Sequence, residues 1–148
     1  MPHTSQNGSH APEFPTSLTW FNTKPLSMHA LRGRAVLIDF WTYSCVNCLR
    51  TLSYVREWHA CYASKGLVVI GVHTPEFAFE ADATHVAHAV TELQIEYPVV
   101  LDSQYTVWHL YANRATGNRR TRSSQNSGGA FGERWRVRAY HARNISWI

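Results

Sequence analysis

Two cysteines stand two residues apart in this 148-residue chain, Cys45 and Cys48, and they are the side chains best suited to chemistry. The apolar run Ala35-Val36-Leu37-Ile38-Asp39-Phe40-Trp41 precedes them and reads as a strand. After them the apolar spacing lengthens to that of a helix, with Leu49, Leu52, Val55, Trp58 and Tyr62 near one face. A strand that feeds a helix through a C-x-x-C turn is the layout used for thiol–disulfide exchange. The reason is electrostatic. A cysteine at a helix N-terminus faces unpaired backbone N–H groups and the positive end of the helix dipole. Both favour the thiolate, which is the nucleophile, and the first cysteine of such motifs can fall from a pKa of about 8.5 to about 7 or below. Cys45 is therefore expected to attack. Cys48, one turn into the helix and less exposed, is expected to resolve the mixed disulfide.

Other titratable residues surround this pair in the sequence. Asp39 ends the apolar strand six residues before Cys45. A carboxylate buried there is costly when charged and unpaired, so its pKa should rise, and it could pass a proton to and from Cys48. The plainer reading is a solvated strand-end aspartate. Glu76 follows the next apolar strand; as a helix N-terminal residue it would complement the dipole. A copper or zinc module built on Cys45, Cys48 and a histidine such as His59 or His73 is the alternative from another class. Zinc wants a second pair of ligands at regular spacing, and among cysteines only Cys61 remains. Cys61 itself reads as a small buried helix residue. His85 and His88, three apart, read as a surface feature.

Length fits one domain with a real core. Three cysteines do not form a disulfide framework. No apolar run approaches membrane-spanning length, and Met1 to His10 shows neither a basic nor an apolar leader region. As encoded, the chain is expected in the cytoplasm, with its first ten residues disordered. The net charge of +4 hides an asymmetry. Residues 1–112 hold six Lys/Arg against nine Asp/Glu, whereas residues 113–148 hold eight Arg against Glu133 alone. A basic tail for nucleic acid or anionic membrane is one reading of that excess; it ranks below a shift of reading frame.

The elements that position the cysteines follow in order. Leu18 to Phe21 is expected as a short edge strand and Ala35 to Phe40 as a central strand buried on both faces. A helix should run from Val46 to Ser64 and stop at Lys65-Gly66. Leu67 to Val72 reads as the parallel partner strand of a βαβ unit. A second helix is expected over Phe79 to Leu93, a short strand over Tyr97 to Leu101, and a short helix over Ser103 to Tyr111.

The run Asp39-Phe40-Trp41 followed by Cys45 and Cys48 resembles the thioredoxin superfamily. The wording Phe40-Trp41-Thr42-Tyr43-Ser44-Cys45-Val46-Asn47-Cys48-Leu49-Arg50-Thr51-Leu52, with Gly71-Val72-His73-Thr74-Pro75-Glu76-Phe77, resembles its TlpA-like and DipZ-type redoxin branch, relatives of the cytochrome c maturation thioredoxins. The resemblance covers residues 11–113. It implies a three-layer α/β sandwich around a mixed central sheet. It implies a thiol:disulfide oxidoreductase acting on protein thiols and disulfides as a monomer, recharged by an upstream redox partner, with no cofactor. It gives Asp39 the proton shuttle, Glu76 a tuning role beside the cysteine pair, and Trp41 a place next to the disulfide and its substrate. Many relatives work outside the cytoplasm, so a periplasmic site is the alternative. A peroxiredoxin-like thiol peroxidase is the other enzyme reading, because Thr42-Tyr43-Ser44-Cys45 supplies Thr-x-x-Cys; the proline expected four residues earlier is Ile38. Ser53 stands where relatives carry a helix-kinking proline.

The chain departs from the family after Arg114. The family's Trp-Pro-Ala with its cis-proline, the following strand pair and the last helix are missing or degenerate, and the last proline is Pro98. Ala115 to Thr121 can be encoded so that another reading frame yields Tyr-Trp-Gln-Pro-Ala-His, close to the missing motif. A frame shift at Arg114 or Ala115 therefore accounts for both the lost motif and the arginine excess. Val137 to His141 resembles a later family strand, which places a return to frame nearby. On this reading residues 114–148 form an atypical basic segment, and stability and turnover should both be reduced.

Overall fold

The computed structural model describes residues 11–115 and 137–141. The first ten residues, and segments 116–136 and 142–148, where the sequence places disorder and most of the basic tail, lie outside the described residues. The elements are β1 Thr19–Phe21, β2 Ala35–Trp41, α1 Val46–Tyr62, β3 Leu67–His73, α2 Ala83–Glu92, β4 Val99–Leu101, α3 Thr106–Ala115 and β5 Val137–His141. They form one mixed sheet in the order β1-β4-β3-β2-β5. The central pairs β2/β3 and β3/β4 are parallel, and the outer pairs β1/β4 and β2/β5 are antiparallel.

The layers follow from strand alternation. Val36, Ile38 and Phe40 of β2 point to one core with Ile70 and Val72 of β3, Val107 and Tyr111 of α3, and Phe14, Met28 and Leu31 of the N-terminal segment. Leu37 and Trp41 point to the other core with Val69, Cys48, Leu52 and Val55 of α1, and Val86 and Val90 of α2. Both faces of the central strands are thus covered, which is why their apolar runs are nearly unbroken. Each fully buried aliphatic side chain contributes about 1.5–3 kcal/mol, so β2 and β3 form a firm base for the turn that follows β2.

Several boundaries differ from expectation for identifiable reasons. The long helix stops at Tyr62 and tightens into a 3-10 turn over Ala63–Lys65, closed by Gly66 at φ 99. That positive φ suits glycine. The second helix is two pieces, a 3-10 turn Ala78–Ala81 and then α2. The break is Asp82, whose carboxylate caps α2 by accepting from the amides of Thr84 (2.8 Å) and His85 (3.1 Å). The face of α1 turned inward is Cys48, Leu52 and Val55, whereas Leu49, Trp58, Tyr62 and also Cys61 are exposed. The sheet edge on β2 is paired by β5, the segment whose sequence resembles a later family strand, from Ala35↔His141 to Asp39↔Val137.

Candidate active site

The register of β2 and β3 sets the site. Asp39 lies opposite Gly71, and Trp41 opposite His73. A side chain at Gly71 would bring a Cβ within 2.9 Å of Trp41 Nε1 and 3.2 Å of Tyr97 Cε2. The glycine therefore lets both rings lie over the sheet beside Asp39. Trp41, assigned above to a place near the disulfide and its substrate, is only 2% exposed and packs in the same core as Cys48.

Beyond Trp41 the chain leaves the sheet in a tight turn. The Thr74 amide donates to the Trp41 carbonyl at 3.0 Å, and the Cys45 amide donates to the Thr42 carbonyl at 3.2 Å. Cys45 is the N-cap of α1, with extended backbone at φ −82 and ψ 113. Its Sγ does what a capping oxygen does elsewhere and accepts the Cys48 amide at 3.2 Å. Cys45 is half-buried and Cys48 buried. Burial pushes the Cys48 thiol far above its ordinary pKa, and its hydrogen bond to Cys45 and the charges of Cys45 and Asp39 add to this, against a lowering contact with the Thr42 backbone. Burial and the Cys45 side chain thus hold Cys48 as a thiol.

Asp39 is 6% exposed. Burial raises its pKa to about 7 from an ordinary 3.8. Its charge acts on both Cys48 and the buried Tyr97 hydroxyl, so it sits on the α1 side of the sheet behind the second cysteine. A carboxyl that titrates near neutrality in that position can take a proton from a thiol and return it.

Two side chains that the sequence did not assign hold the turn in place. His73 is fully buried, its ring stacked on Tyr43 at 5.5 Å and edge-on to Trp41 at 5.0 Å. Its Nε2 lies 3.3 Å from Thr42 Oγ1 and accepts the Tyr43 amide at 3.4 Å. Burial lowers its pKa to about 4, opposed by the charge of Glu80, so the ring is neutral at physiological pH and free to accept.

Glu80 is also fully buried. Its carboxylate accepts from the Ser44 hydroxyl, the residue before Cys45, and from the amides of Glu76 (2.6 Å) and Phe77 (3.1 Å). Burial alone would raise its pKa, but the hydrogen bonds from Ser44, Glu76, Phe77 and Thr42 outweigh it and hold the carboxyl below its usual range. Glu80 thus reaches the C-x-x-C turn with its carboxylate, and Glu76, half-buried, contributes its backbone amide to that carboxylate. The spacing Pro75-Glu76-Phe77-Ala78-Phe79-Glu80 did carry a signal, a glutamate three residues beyond a turn where it can cap backbone amides.

Glu80→Gln removes the charge and presents an amide to donors. It should cost about 1–3 kcal/mol of stability. Because the folded pKa is depressed, the parent's contribution from Glu80 is present above the unfolded carboxylate range and lost as pH falls through the folded value. Denaturant melts at pH 7 and pH 3 check this: the gap between parent and variant should be wide at the first and narrow at the second.

Among the described residues, no three His, Cys, Asp or Glu side chains converge as a metal site. Nor is any helix among them long and apolar enough to cross a membrane. His85 and His88 are both exposed; His88 pairs with Glu92 at 3.5 Å.

A profile of the redoxin family matches residues 6–124. Protein DipZ of Mycobacterium bovis is 48% identical over 107 residues, which are 70% of this chain and 15% of DipZ. The thiol-disulfide oxidoreductase ResA of Bacillus cereus is 29% identical over 99 residues, 66% of this chain and 52% of ResA. A solved thioredoxin-like protein in the oxidized form aligns with a TM-score of 0.62 at 27% identity, covering 70% of this chain and 69% of its own. The chain thus spans a small part of DipZ and about half of ResA. The chain belongs to the redoxin family, with a thioredoxin-like α/β fold.

Proposed function

We propose that the chain is a thiol:disulfide oxidoreductase that exchanges electrons with protein disulfides. The observation that carries this is Cys45 Sγ at the head of α1, receiving the Cys48 amide while the buried Cys48 thiol waits behind it over Asp39. In the reducing direction the Cys45 thiolate attacks one sulfur of a substrate disulfide. That S–S bond breaks, a mixed disulfide forms, and the first substrate sulfur leaves as thiolate and takes a proton from water. Asp39, ionised, then takes the proton from Cys48. The Cys48 thiolate attacks Cys45 Sγ, the second substrate sulfur leaves, and the Cys45–Cys48 disulfide holds the oxidising equivalent. Two electrons have passed to the substrate. The oxidising direction is the same sequence reversed.

The remaining roles belong to this reading. Glu76 adjusts the charge near the cysteine pair, and Trp41 shapes the floor under Cys48. The chain works as a monomer and is recharged by a separate dithiol or disulfide protein. The test is reduction of a protein disulfide such as insulin by the chain under excess dithiothreitol, with Cys45→Ser beside it. Turnover above the dithiothreitol background, abolished by Cys45→Ser, is expected. Equal rates for both proteins would contradict the reading.

A further inference from the structure

Next to Cys45 the surface is unusually aromatic. Phe77 and Phe79 are 52% and 54% exposed, yet their rings stack on each other, 5.6 Å apart and within 4° of parallel. Tyr43, two residues before Cys45, lies 6.3 Å from the Phe79 ring. Single exposed apolar residues are ordinary, but here three rings form a continuous ledge that starts at Tyr43, two residues before the nucleophile.

The ledge is also held rigid. The Tyr43 ring is stacked on buried His73, and its hydroxyl donates to the Phe79 carbonyl at 3.4 Å. The same carbonyl lies 3.1 Å from His85 Nδ1. The Phe77 amide is bound by the Glu80 carboxylate. The backbone under both phenylalanines is therefore fixed at each end, and the rings are displayed rather than loosely draped. Fixed aromatic surface binds at a low cost in conformational entropy.

We propose that Tyr43, Phe79 and Phe77 form the substrate-docking ledge of the redox site, fitted to an extended stretch of a protein substrate carrying a large apolar side chain three or four residues from its disulfide cysteine. The inference rests on the redox reading of Cys45, because any protein disulfide brought to that sulfur must lay its flanking chain over the neighbouring surface. Tyr43 stands two residues before the nucleophile, and the ring separations of 6.3 and 5.6 Å along the ledge match three to four residues of an extended chain, at about 3.3 Å per residue. The ledge gives the site a preference among partners that the cysteines alone cannot supply, since thiol exchange itself reads only the sulfur.

The experiment uses the reduced chain carrying Cys61→Ser, so that the exposed third thiol takes no part. It is oxidised in single turnover by two disulfide-linked peptide homodimers. They differ only in having Leu or Ser three residues to each side of the cysteine. Hydroxyethyl disulfide, which has no flanking chain, reports on the redox centre by itself. The leucine peptide should react about tenfold faster, as expected from burying roughly half of its side chain. Phe77→Ser/Phe79→Ser should bring the ratio of the two peptide rates close to one, and Phe77→Leu/Phe79→Leu should restore most of it. Equal rates for the two peptides in the parent, or a preference that survives the serine substitutions, would overturn the ledge. So would a serine variant that loses its reaction with hydroxyethyl disulfide as fully as with the leucine peptide, since the rings would then be supporting the turn. A parent oxidised by none of the three disulfides would instead remove the redox reading, and the ledge with it.

Discussion

Cys48→Ser turns the chain into a trap. Its first half-reaction is intact, because Cys45 remains half-buried at the head of α1. Its second half-reaction is gone, because the hydroxyl now behind Cys45 cannot displace a disulfide. A substrate captured by Cys45 should therefore stay attached. Turnover of a protein disulfide should fall by at least ~100-fold, with a mixed disulfide accumulating. Cys45→Ser should behave differently. With the exposed Cys61 replaced by serine in both variants, it loses turnover without capturing substrate, since the remaining thiol, Cys48, is buried and held protonated. Non-reducing electrophoresis after an acid quench separates the two outcomes. Equal capture by both variants would mean that the depth of the two sulfurs does not order their chemistry.

Asp39→Asn should make the protein more stable and less active together. Asp39 carries a folded pKa of about 7 against an ordinary 3.8, and burial is the cause. A raised carboxyl pKa means that the folded state binds its proton more tightly than the unfolded chain does. Its neutral form is therefore accommodated fully below the unfolded value. Stability is then lost as pH rises from about 4 through about 7, and the loss is constant above that. The shift corresponds to about 4 kcal/mol as an upper bound. Asparagine has no charge to bury, so its advantage should be absent at pH 4 and reach about 2–4 kcal/mol at pH 8. The rate of the resolving step should move the other way. In the parent it rises with pH as Asp39 loses its proton near 7 and becomes an acceptor for Cys48. The variant should lack that inflection and resolve roughly 100-fold more slowly. Thermal melts and single-turnover rates across pH 4–9 measure both. A stabilised variant with an unchanged pH profile would leave Asp39 as a strained core residue and no more.

The legible parts of this fold are those where neighbours in sequence decide. The apolar runs of β2 and β3, with a helix between, can only be parallel strands buried on both faces. Cys45 and Cys48 declare their chemistry by spacing and by the strand before them. Gly66 marks a stop because its φ is one that glycine favours. The illegible parts depend on contacts across the chain. His73 meets Tyr43 from thirty residues away and Thr42 from thirty-one, and Glu80 meets Ser44 from thirty-six. Glu76 and Glu80 are one helical turn apart, and local sequence does not say which turns inward. In α1, Cys48, Leu52 and Val55 compete with Leu49, Trp58 and Tyr62 for the inner face, and both sets have helical spacing. The structure resolves the choice by burying the set that packs under Asp39 and Trp41. Asp82 is a residue type that caps helices, but inside a run of helical spacing from Phe79 to Leu93 nothing local marks it as the break.

The most direct test is to map the disulfide that forms when the reduced Cys61→Ser chain meets one equivalent of a protein disulfide. A single intramolecular link is expected, Cys45 to Cys48, seen as one cross-linked peptide two hydrogens lighter, reopened by dithiothreitol. Oxidation that instead leaves Cys48 free, with Cys45 permanently in mixed disulfide or carrying oxygen, would contradict it.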